Sequence, residues 1–89
     1  MPADRPFRYR ADVIEQLWQH GVHPSERTPP EVVHEFVSDQ YRLELRRLRD
    51  QLLRKEFPKH EYHGRVVELR KQYWLVSLAP AEWLAGSRG

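Results

Sequence analysis

The sequence predicts an all-α fold built on one central helix that is long for its chain. Three observations carry this. Thr28-Pro29-Pro30-Glu31 has the composition of a helix start, and neither Gly nor Pro interrupts the run from Glu31 to Glu56. Apolar residues recur at three- and four-residue spacing rather than alternating, which is the helical period and not that of a strand.

Taken in order, residues 1–10 contain Pro2, Pro6 and three Arg, and read as a flexible arm that Phe7 and Tyr9 could pin to the body. Asp12 and Glu15 have the spacing of a capping box, with Asp12 at the N-cap. Val13, Ile14, Leu17 and Trp18 fall on one face behind it. Gly21 supplies the left-handed residue that ends helices, so a short first helix is expected from Asp12 to His20. His23 to Arg27 form a connection.

The central helix is expected from Pro29 to Glu56. Thr28 offers an N-cap hydroxyl, Glu31 can reach back to it, and Pro29 is tolerated at the first helical position. Val33, Val37, Tyr41, Leu45, Leu48 and Leu52 form its main apolar stripe. Val32, Phe36 and Leu43 form a second strip, which predicts an N-terminal half buried on two sides. Pro58 pushes Phe57 out of the α region and ends the helix. A third helix, Pro58 to Tyr73, should fold back as an antiparallel hairpin with a stripe of Tyr62, Val66, Leu69 and Tyr73. Gly64 inside it costs about 1 kcal/mol against Ala unless it admits another backbone. Trp74 to Leu78 read as an extended connection and Pro80 to Leu84 as a one-turn C-terminal helix. The expected organisation is one helical domain over 11–85 and a disordered tail over 86–89.

A 28-residue helix spans about 42 Å, whereas a compact domain of this length is roughly 30 Å across. The overshooting end carries Leu48, Leu52 and Leu53, each worth about 1.5–3 kcal/mol when fully buried. Charge gives the helix a direction. Glu31, Glu35 and Asp39 precede Tyr41 with no base among them, and six bases face three acids from Tyr41 to Glu56. Dipole complementarity accounts for the two ends but fades before the middle. Two such helices laid antiparallel would set acidic halves against basic halves, so an antiparallel homodimer through the central helix is expected. Leu45, Leu48, Leu52 and Leu53 are its candidate contacts. Trp83, on a one-turn helix near a terminus, is the candidate hot-spot tryptophan.

Catalytic chemistry finds little support. Cys is absent, which removes disulfides and thiolate sites, and the serines lie in no nucleophile motif. His60 and His63 are suitably spaced to share a metal, but spacing implies no third ligand, so no metal or cofactor is expected. The net charge is only +2, from 15 Lys and Arg against 13 Asp and Glu, so charge distribution has to carry any nucleic-acid reading. Arg42, Arg46 and Arg49 do form a ridge opposite the leucines, and Arg8 and Arg10 interleave with aromatics. Asp50, four residues from Arg46 and from Arg54, is placed to pair with both. No run approaches the roughly 20 apolar residues of a membrane span, and no signal-like stretch opens the chain, so a cytoplasmic location is expected. The leading expectation is a non-enzymatic protein–protein interaction module, self-associating or part of a larger assembly. The alternative is an accessory nucleic-acid-binding protein.

Overall fold

The computed structural model describes residues 7–85. Among them the chain forms three α-helices, α1 (Ala11–Gln19), α2 (Pro30–Leu53) and α3 (Tyr62–Gln72), with 3-10 turns at Lys59–Glu61, Trp74–Ser77 and Pro80–Trp83. The all-α class and the long central helix packed on the third are as the sequence predicts.

Each helix boundary shows which local rule prevailed. α1 begins at Ala11 with Arg10 at the N-cap, so Asp12 does not cap. It binds the Arg10 guanidinium instead at 3.1 and 2.7 Å, and that hydrogen bond holds its carboxyl below the ordinary range. α1 ends as expected. Gly21 has φ 77°, and the N–H groups of Val22 and Gly21 donate to Leu17 O and Trp18 O, the paired bonds of a Schellman motif.

α2 starts one residue later than the Thr28 box implies. Pro30 keeps Pro29 extended, at φ −63° and ψ 133°, because the residue before proline is excluded from the α region. The N-cap therefore falls on a side chain without an oxygen. Thr28 Oγ1 accepts from Ser25 N at 3.0 Å and serves the preceding turn. At the other end α2 stops at Leu53, three residues short of Glu56. Lys55 turns left-handed at φ 61°, and Lys55 N and Glu56 N donate to Leu52 O and Gln51 O. This is again a Schellman pair, here with lysine where glycine is usual. α2 thus spans 24 residues, about 36 Å.

After Phe57 the chain reverses. Tyr73, at the C-terminal end of α3, lies 5.3 Å from Tyr41 between ring centroids, so α3 runs antiparallel to the second half of α2. Pro58 opens a 3-10 turn and regular helix begins at Tyr62. Gly64 is inside α3, and nothing lies within 4 Å of where its Cβ would be. Among the described residues it admits no close backbone. Trp74–Ser77 is a 3-10 turn rather than an extended connection.

The core sits at one end, on the first half of α2. Val13, Leu17, Val33, Val37, Tyr73, Leu75 and Trp83 are buried together. Trp83 fixes it, since its indole N–H donates to Leu75 O at 3.1 Å inside the core. Residues 7–10 belong to this body and not to a flexible arm. Tyr9 forms an antiparallel bridge with Leu84 and donates its hydroxyl to Thr28 O at 2.6 Å. Arg10 N and Ala85 N close the same pairing on Trp83 O and Arg8 O. The first six residues of the expected arm over 1–10, and the expected tail over 86–89, lie outside the described residues. With its core at one end, the molecule measures 57 × 18 × 17 Å with a radius of gyration of 16.1 Å, against about 12 Å for a compact domain of this length.

Candidate interaction surface

α2 has two long faces with different fates. At 100° per residue, Pro30, Val33, Val37 and Leu48 point one way. The first three are buried, and Leu48 is half-buried beside α3. Leu45 and Leu52 are likewise half-buried, so three of the four predicted contact leucines are already partly covered within the chain. Leu53 is the exception at 69 % exposure.

The second strip is a correction. Val32, Phe36 and Leu43 are 61, 52 and 44 % exposed, so the N-terminal half of α2 is buried on one side only. The core elements all approach α2 from the Val33–Val37 side, and a core this small cannot surround a helix. Val32, Phe36 and Leu43 fall within about 40° of arc on the far side. Next to them, Glu31, Glu35, Asp39, Arg42, Arg46 and Arg49 share about 80° of arc, and all six are exposed. The solvent-facing back of α2 is therefore an apolar strip beside a charged one, acidic toward the N-terminus and basic toward the C-terminus.

The tryptophans exchange roles. Trp83, the sequence's candidate for a contact, is fully buried and cannot meet a partner, whereas Trp18 is 59 % exposed. Trp18 stands edge-on to His23, with 4.0 Å between ring centroids.

The arginines of the nucleic-acid reading are divided. Arg10 is bound to Asp12 and to Glu82 O, and Arg42 pairs with Asp39. Arg8, Arg46 and Arg49 are exposed, and among the described residues no carboxylate lies within ion-pair distance of them. The expected Asp50 pairs with Arg46 and Arg54 do not form. Arg54 binds Glu56 at 2.7 Å, because the Lys55 turn brings that carboxylate back over the helix end.

The histidines are structural or solvated. His34 is half-buried, and its Nε2–H donates to Leu78 O at 2.8 Å. His20 donates likewise to Gln72 O at 2.9 Å and stacks on Tyr73. His60 and His63 are exposed, and among the described residues no three His, Asp or Glu side chains gather as a metal site. Between α2 and α3 runs an open groove of about 820 Å³ lined by Glu44, Arg47, Gln51, His60, Glu68 and others, with Arg65 and Glu61 paired at 3.0 Å on its rim. It is a solvated groove of mixed charge.

The fold and this surface define an elongated three-helix protein. No family model matches the chain, and neither the curated proteins nor the solved structures compared with it give a match. Among the described residues no helix is long and apolar enough to cross a membrane.

The sequence reading missed the exposure of Val32, Phe36 and Leu43. The available signal was Asp39 and Gln40, which interrupt that strip with polar groups where a second buried face would need apolar ones.

Proposed function

We propose that this chain is a non-enzymatic protein–protein interaction module whose contact surface is the back of α2. The observation that supports this most is the exposure of Val32, Phe36 and Leu43 at helical spacing on a face left uncovered by the other elements among the described residues. Side chains of this kind contribute about 1.5–3 kcal/mol each when fully buried. Being about half exposed, each holds back roughly 1 kcal/mol, which a partner would realise. Contiguous apolar surface rimmed by charge is what binding patches look like. The nucleic-acid alternative draws less support, because Arg10 and Arg42 already bind carboxylates of their own chain.

The test is a photo-crosslinking residue at position 36 in the native cell, with position 70 on the exposed side of α3 as control. A protein adduct of defined mass at 36, lost when Leu43→Asp is added, is the expected result. No adduct at 36, or equal adducts at 36 and 70, would remove the proposal.

A further inference from the structure

We infer that the occupant of the α2 surface is the α2 surface of a second copy, antiparallel to the first, with the twofold axis at the level of Gln40. This rests on the reading of that face as a contact surface and adds its partner and register.

In an antiparallel pair, residues equally far from the axis on opposite sides stand at the same height, and residues on the same flank of the two helices face one another. Glu31 and Arg49, Glu35 and Arg46, and Asp39 and Arg42 are each centred within about half a residue of Gln40, and each pair shares a flank at the helical period. The same axis serves the apolar flank, where Phe36 stands against Leu43 of the other copy. Every acid on this flank before Tyr41 thereby meets an arginine, and twofold symmetry forms each contact twice.

The structure leaves these groups open for it. Glu31, Glu35, Arg46 and Arg49 are exposed, and none of them has an ion pair among the described residues. Asp39 and Arg42, 65 % exposed on both sides, bind each other within one chain. At the axis they would form a four-membered cluster of alternating charge with their counterparts. A parallel arrangement would instead set acid against acid and base against base, which like-charge repulsion disfavours. The charged strip thus selects orientation and register, and Phe36 and Leu43 supply the apolar contact.

The test uses sedimentation equilibrium of the purified full chain, with Glu35→Arg, Arg46→Glu and the double variant. Both positions are exposed, and circular dichroism checks that each variant stays folded. Each single change should raise the dimer Kd about tenfold, equivalent to about 1.4 kcal/mol, and the double variant should restore it. Rescue cannot be an intrachain effect, because residues eleven apart on one helix lie about 16 Å from each other. Asp39→Cys should form an oxidised dimer readily, in a chain that has no other cysteine, whereas Leu53→Cys should not. A monomer at all concentrations, a double variant no better than the singles, or preferential cross-linking at Leu53→Cys would overturn the inference. Each of these outcomes leaves the in-cell adduct at position 36 to be decided separately.

Discussion

Lys55 occupies the left-handed position that closes α2, with φ 61°, and replacing it with glycine should stabilise the protein. A residue with a Cβ costs about 1–2 kcal/mol in this conformation. Glycine removes that cost but loses about 0.5–1 kcal/mol more backbone entropy on folding. The net gain is about 0.5–1 kcal/mol. For a domain of this size that corresponds to a rise in Tm of roughly 2–8 °C. The Lys55 side chain is exposed and among the described residues makes no ion pair, so little opposes the gain. Lys55→Ala is the control, because it removes the charge and keeps the strain. Calorimetry should show Lys55→Ala near the parent and Lys55→Gly above both, with Lys55→Asn between. A Lys55→Gly melting point at or below that of Lys55→Ala would refute the argument that the α2 terminus is strained.

Further outcomes follow from the same geometry. Gly64→Ala should raise stability by about 1 kcal/mol, the helix-interior difference between the two residues, because the space over Gly64 is empty; urea unfolding measures it. Trp83→Phe removes the indole donor to Leu75 O, which still accepts from Leu78 N at 3.1 Å, and should cost about 0.5–1.5 kcal/mol for the lost hydrogen bond, with a cavity adding to it. Burial, and after it the Glu31 charge, raise the Tyr9 hydroxyl from 10.0 to about 12. A folded-state value above the unfolded one means stability is complete below pH 10 and falls as pH rises through about 12. Phenolate at Tyr9 would set a negative oxygen against Thr28 O. Chemical denaturation should therefore show alkaline destabilisation that Tyr9→Phe reduces. Tyr73, raised by burial and then by Glu44, should leave a remainder of the same sign.

The helices were legible where one local rule acts alone. Gly21 ended α1 as its freedom at positive φ predicts, and Pro58 heads the turn that leads into α3. Boundaries shifted where two rules competed. At Pro29-Pro30 the restriction before proline outweighed the Thr28 cap. At Lys55 chain reversal placed a lysine where composition offers no warning. The N-terminal segment was harder. Tyr9 and Arg10 are held by Leu84, Trp83 and Glu82, partners more than seventy residues away that no local pattern points to. The proposed contact surface was half legible. The charge division along α2 is written in the sequence, and it suggested two antiparallel copies. Which apolar face remains outside depends on where α1, α3 and Trp83 pack, and that is a tertiary property. Helix length assigned the leucines of the second half outward and periodicity assigned the Phe36 strip inward, and the packing reverses both except at Leu53.

The proposal that most needs a direct test is that the back of α2 pairs with the same face of a second copy. Two-dimensional NMR over a concentration series of the isolated chain tests it most directly. The account predicts progressive shifts at Val32, Phe36, Asp39 and Leu43, with Leu17, Leu75 and Trp83 of the core unmoved. Spectra that do not change with concentration, or changes centred on Trp18 or Leu53 while Phe36 stays still, would contradict it.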